Sequence, residues 1–264
     1  MRTIAEVFSV KDRADLRERL VDDARADGRI TAAALVGSGA AAREDSWSDI
    51  DLALRVADDA DPAEVAEAWT ARMYREHGVV QHVDVWSEPT LFRVFLLASS
   101  LQVDLSFWPS TAFAARGEGF RLLFGSANPS RPLPAPEPDA LAGMGWLYAL
   151  HARASIARGR PLQGLFMVNG LRDQVVALAC MRHGLTPHQA RGADDLPEPT
   201  AARIGRSIVG SLTGSELRRA FGVAVELLLD EVEQIDPGLA RRLRVPADEM
   251  LRSAVPPEGE EPTY

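Results

Sequence analysis

The sequence predicts a mixed α/β (α+β) domain, helices packed on a mixed sheet, followed by an all-α helical bundle. Three observations predict it. Helix-like and strand-like periodicities alternate as far as residue 108. A proline-rich stretch then interrupts the chain between residues 127 and 140. Beyond it, every periodic segment is helical.

The elements follow in order. Residues 10–27 (VKDRADLRERLVDDARAD) place Leu16, Leu20 and Val21 on one face of a helix that Gly28 stops. ITAAALVGS, residues 30–38, reads as a buried strand entering a turn, and DIDLALRV, residues 49–56, as a second strand. Residues 61–77 have Asp61 at an N-cap position and Pro62 at the first helical position, a helix signal. VVQHVDVW (79–86), LFRVFLLA (91–98) and LQVDLSFW (101–108) read as strands, with Ser99 and Ser100 making a hairpin of the last two. ANPSRPLPAPEPDA has five prolines and almost nothing to bury, which predicts a linker over 129–137 between domains at 1–128 and 138–264. The second domain should hold helices over 138–158, 161–183, 200–212, 215–234 and 237–253.

Composition narrows the function. The chain of 264 residues is 46% hydrophobic and 25% charged, values that support an ordinary core. Its formal net charge of -9 argues against a general nucleic-acid binder, which needs a basic face; it suits solubility or a cationic small substrate. Cys180 is the one cysteine, so no internal disulfide or cysteine-rich metal site exists, and its apolar neighbours mark it as a small core residue. The first twenty residues carry charges throughout with no apolar core of signal-peptide length, and no stretch reaches bilayer length. The expectation is a cytoplasmic protein with no membrane partner.

The chemistry concentrates in GSGAAAREDSWSDIDL, residues 37–52. Asp49 and Asp51, two apart on a strand, project to the same side. Two adjacent carboxylates repel, and a cation relieves them; Mg²⁺ prefers hard oxygen ligands and is often held by one or two carboxylates plus substrate phosphates. Gly37 lets a phosphate approach the backbone, and Ser38 offers a hydroxyl and an amide. A third carboxylate would complete a two-metal site or act as a base. Asp104, flanked by apolar residues, is the choice; Asp84, with the same kind of flanks, is its competitor.

Gly37-Ser38, the D-I-D-L run and a lone Asp on a later strand resemble the DNA polymerase-β-like nucleotidyltransferase superfamily. Within it, the chain resembles the antibiotic (aminoglycoside and lincosamide type) nucleotidyltransferases, which pair such a domain with a helical bundle. The resemblance implies phosphate binding by Gly37 and Ser38, Mg²⁺ at Asp49 and Asp51, and a metal-binding or base role for Asp104. It implies that ATP or another nucleoside triphosphate gives its nucleoside monophosphate to a hydroxyl of a small acceptor, such as an aminoglycoside-like antibiotic, in the cleft between the domains. One departure is that Trp47 and Ser48 stand where many relatives approach the acidic pair through a glycine. Acceptor candidates lie in the helical half: Arg172 and Asp173 at the front of an apolar run, and Tyr148 and His151 three apart on the preceding helix. Helix packing or an Arg172–Asp173 pair are the plainer readings. Two other functions stay open: transfer to a protein or RNA, and a catalytically idle nucleotide-binding module with a missing or displaced third carboxylate.

Overall fold

The computed structural model describes residues 8–41, 44–117, 119–132 and 134–256. The chain divides into two compact units, Met1–Leu133 and Pro134–Tyr264.

Unit 1 begins with α1 (Val10–Ala26), capped by a reciprocal Ser9–Asp12 box. Leu16, Leu20 and Ala24 recur at helical spacing on its buried face. The chain then forms β1 (Ile30–Val36), a single turn α2 (Gly37–Ala40), β2 (Ile50–Val56) and α3 (Pro62–Glu76). Asp61 caps α3 by accepting from the Ala63 amide, beside a proline that needs no donor there. Four strands follow: β3 (Val79–Ser87), β4 (Thr90–Leu97), β5 (Gln102–Trp108) and β6 (Phe120–Phe124).

These strands make one mixed sheet in the order β3-β4-β5-β2-β1-β6. β2 and β5 are parallel neighbours; the other pairings are antiparallel. Strand alternation sorts the side chains. Leu52 and Leu54 of β2 and Val103, Leu105 and Phe107 of β5 join Leu16, Leu20, Trp69 and Met73 of α1 and α3 in the main core. The opposite face carries Asp51 and Ala53 of β2 and Asp104, Ser106 and Trp108 of β5. There Ala32, Ala34 and Ala53 lie in a second, smaller core with Trp108 and Phe113. β6 is an element that sequence reasoning passed over. Trp108 is buried, whereas Trp86, near the end of an edge strand, is 60% exposed.

The proline-rich stretch starts as part of unit 1. The Asn128 amide donates to Phe113 O at 2.9 Å and the Arg131 amide to Ala115 O at 2.8 Å. Residues 128–131 therefore keep backbone partners in the segment before β6.

Unit 2 contains α4 (Pro138–Ala157), α5 (Pro161–Arg182), α6 (Glu198–Gly205), α7 (Gly214–Ile235) and α8 (Pro237–Ser253). Small residues let the helices close on one another. A Cβ on Gly145 would lie 2.7 Å from Leu228, and one on Gly170 2.5 Å from the Tyr148 ring. Arg182 makes a two-pronged bond to the buried Glu231 at 2.7 and 2.8 Å. α6 is shorter than the periodicity suggests and starts earlier. Pro199 suits its first turn, and the serine- and glycine-rich run 207–214 does not continue it. No helix among the described residues is long and apolar enough to cross a membrane.

Candidate active site

Asp51 and Asp104 are cross-strand partners in the parallel β2–β5 pair, so register alone sets them side by side. Asp49 stands one residue before β2 begins. Ligand oxygens of Asp49, Asp51 and Asp104 lie within 4.8 Å of one another. The exposed Gln102 amide holds two of them: Nε2 donates to Asp104 Oδ1 at 3.0 Å and to Asp49 Oδ2 at 3.3 Å. Burial pushes the Asp104 carboxyl up to about 6; the Gln102 hydrogen bond opposes this and the charge of Asp49 adds to it.

Gly37 sits directly over this cluster. Its φ of +63° is a conformation that glycine adopts without cost, and a Cβ would lie 2.3 Å from Asp51 Oδ2. A side chain here would push the Asp51 carboxylate from its place. Ser38 follows, and its Oγ is buried with no hydrogen-bond partner. An orphaned hydroxyl beside three carboxylates suits a ligand with acceptor oxygens. Gly119 closes the other side: a Cβ there would meet Gly37 O at 3.0 Å and Gly37 N at 3.3 Å. The G-E-G run at 117–119 was the available signal for this second glycine.

The loop that delivers Asp49 is held from α1. Arg13, 2% exposed, donates to the carbonyls of Asp45 and Ser48. Arg17 pairs with Glu44. Asp45 accepts from the Trp47 amide and the Ser48 hydroxyl, which holds its carboxyl below the usual range. Trp47 in this turn is 87% exposed. Arg13 looks like one more charge of an amphipathic helix in sequence, and only the loop carbonyls reveal why it is buried.

The competitor Asp84 lies on the other side of the sheet. Arg93 of β4 grips both its oxygens at 2.6 and 2.7 Å, and bonds Glu67 and Thr70 of α3 as well. This guanidinium holds the Asp84 carboxyl below its ordinary value. Asp84 is thus a structural anion. A further cluster, Asp23, Glu76 and His77, has its carboxylates paired with Arg72 and Arg75.

In unit 2, Tyr148 packs its ring against Gly170, as helix packing predicts, while His151 is exposed. Arg172 is half-buried and Asp173 exposed. Neither has an ion-pair partner among the described residues, so an Arg172–Asp173 pair is not what stabilises the bundle. Cys180 is buried in a small cluster with Ala179 and Leu196.

Neither a family model nor a curated protein sequence matches the chain. A solved structure described as an aminoglycoside 6-adenyltransferase from Bacillus subtilis is similar over 95% of this chain and 99% of its own, at 12% identity and a TM-score of 0.39. That likeness is too distant to bear on this chain's fold or chemistry.

Proposed function

We propose that unit 1 is a nucleotidyltransferase domain that moves a nucleoside monophosphate, AMP from ATP in the first instance, onto a hydroxyl of a small acceptor. The observation that carries this reading is the convergence of Asp49, Asp51 and Asp104 within 4.8 Å, directly beneath a glycine whose left-handed backbone and close approach to Asp51 disfavour a side chain. Arginines neutralise Asp84, Asp23 and Glu76, whereas Asp104 has burial, a neutral amide and another carboxylate around it.

The donor set fits Mg²⁺, which takes carboxylate oxygens and substrate phosphates together. When bound, Mg²⁺ would supply charge stabilisation to the phosphoryl oxygens in an in-line displacement. The chain's own residues do the rest. Asp49, Asp51 and Asp104 hold the cation, and Gln102 spaces two of them. The Ser38 hydroxyl and the backbone of Gly37 contact the triphosphate. In the alternative role, with the cation on Asp49 and Asp51 alone, Asp104 would be suited to accept the proton of the attacking hydroxyl. The hydroxyl oxygen bonds to the α-phosphorus as the bond to pyrophosphate breaks.

The acceptor class follows the same reading: a small hydroxylated molecule, an aminoglycoside-like cation being the first to try. Asp173 and His151, exposed on α5 and α4, are proposed as acceptor contacts, with Arg172 as a half-buried neighbour and Tyr148 chiefly a packing residue. An idle nucleotide-binding module would have its third carboxylate displaced, and Asp104 stands within the cluster.

The test is pyrophosphate release with ATP, Mg²⁺ and a panel of aminoglycosides and lincosamides, for the wild type and Asp51→Asn. Release that depends on an acceptor and vanishes in the variant supports transfer. Nucleotide binding with no release across the panel, or release unchanged in Asp51→Asn, overturns it.

A further inference from the structure

The two edges of the sheet are treated differently. β6 is short, carries Arg121, and has its Leu123 carbonyl bonded by Arg25 at 3.2 Å, while the same guanidinium covers the Phe124 ring at 4.6 Å. A charge and a blocked carbonyl are the usual guards of an edge. β3 has neither guard: its one acid, Asp84, is neutralised by Arg93 on the α3 side. Its nine residues, VVQHVDVWS, include no Lys, Arg or Pro. Val80, Val83, Val85 and Trp86 on it are each more than half exposed, and Leu96 of the adjoining β4 is 48% exposed. A long unguarded apolar edge is a template for another strand.

We propose that this edge is the interface of a homodimer, in which two β3 strands pair antiparallel about a two-fold axis at Val83. The strand's own sequence selects this occupant and this register. A two-fold axis normal to the sheet keeps like faces together, so residues pair about a single central position. Centring on Val83, the midpoint of Val79–Ser87, sets His82 opposite the partner subunit's Asp84 and Gln81 opposite the partner's Val85. Val83 then meets its own copy. Centring on Asp84 would set two carboxylates face to face, and centring on His82 would set two imidazoles there. Only the Val83 axis sets an imidazole opposite a carboxylate. His82 keeps Nδ1 on the Tyr74 hydroxyl at 3.0 Å, leaving Nε2 for the new carboxylate. On the other face, Val83 and Val85 from both copies would join Leu96 in one apolar strip.

Sedimentation or light scattering of the full chain should give twice the 28.7 kDa chain mass. Val83→Lys sets two ammonium groups against each other on the axis and should yield monomers with an unchanged far-UV spectrum. Val245→Lys, at an apolar position 73% exposed on α8, should remain dimeric. A second readout does not need the lysine variant to fold. Directly opposed residues in an antiparallel pair have Cα atoms about 4.5–5.5 Å apart, within disulfide reach. Val83→Cys should therefore cross-link to itself under mild oxidation. Val85→Cys should not, because the two copies of residue 85 lie roughly 13 Å apart along the strands. Cys180, the one native cysteine, is buried and gives no background. A monomeric wild type, a dimeric Val83→Lys, or equal cross-linking at 83 and 85 would each overturn the proposal.

Discussion

Two strands of the same sheet each carry an aspartate between apolar residues, and the sheet puts them to opposite uses. On β3, Asp84 faces α3 and is held by Arg93, which is 5% exposed and also bonds Glu67 and Thr70. On β5, Asp104 faces the other way, beside Asp51, with the Gln102 amide as its hydrogen-bond donor among the described residues. One carboxyl is held down by a cation, the other pushed up by burial. A carboxylate that a fold neutralises serves the fold. One pushed up by burial next to another carboxylate costs the fold stability, and a bound cation would recover it.

The comparison breaks first on activity. Asp104→Asn should lower pyrophosphate release by about a thousandfold, the loss of roughly 4 kcal/mol of the charge stabilisation that a bound metal supplies. Asp84→Asn should leave turnover per folded molecule within about threefold, since its partners lie on the far face of the sheet. Equal losses in the two variants would erase the distinction.

Stability should show the reverse order. Arg93→Met leaves Asp84 and Glu67 without their buried cation and opens the β4–α3 contact. Breaking a buried pair costs about 3–5 kcal/mol, reduced here to about 2–3 because the Asp84 side chain is a third exposed. Urea unfolding measures it. A change below 1 kcal/mol would mean that this network is ornamental.

Much of this arrangement was legible in the chain. The spacing of Asp49 and Asp51 marks them as a pair, although Asp49 stands just outside β2 where strand alternation does not by itself set its side, and Gly37-Ser38 marks the turn. The choice between Asp84 and Asp104 was not legible, because their flanks are alike. What separates them is register: β4 sets Arg93 against Asp84 and Val94 against Asp104, and Arg93 and Val94 are adjacent in sequence. A shift of one residue would exchange the two roles. β6 escaped notice for a related reason. FRLLF is five residues without alternation, and it becomes a strand only because β1 offers an edge. Gln102 and Arg13 stayed hidden because each matters through contacts that are distant in sequence.

The pH dependence sharpens the contrast further. Asp104 has a folded pKa of about 6 against an ordinary 3.8, so the folded chain keeps a proton that the unfolded chain releases. Its stabilising effect is complete below the ordinary value and is lost as pH rises through about 6. Asp84 has the opposite sign: its contribution is present above the ordinary carboxylate range and is lost as pH falls through its lowered value. In EDTA at pH 7, Asp104→Asn should therefore be more stable than wild type by about 1 kcal/mol, a shift of two units discounted for partial exposure. The gain should disappear below pH 4. A variant no more stable than wild type at pH 7 would mean that Asp104 is not strained by its surroundings.

The smallest effect should be at Gln102. Its single Nε2 bridges Asp49 and Asp104, donating to two carboxylates that would otherwise repel. Gln102→Leu removes the bridge without adding charge, so Asp104 should titrate higher and the pair should splay. Both changes oppose cation binding, because the ligand must be deprotonated and in place. Loss of one such bond is worth about 1 kcal/mol, so Mn²⁺ affinity, read by electron paramagnetic resonance, should fall about fivefold. The loss should grow as pH is lowered toward 6, where proton and cation compete for Asp104. A weakening that is the same at pH 6 and pH 8 would point to geometry alone, and would leave the raised carboxyl without a part in cation binding.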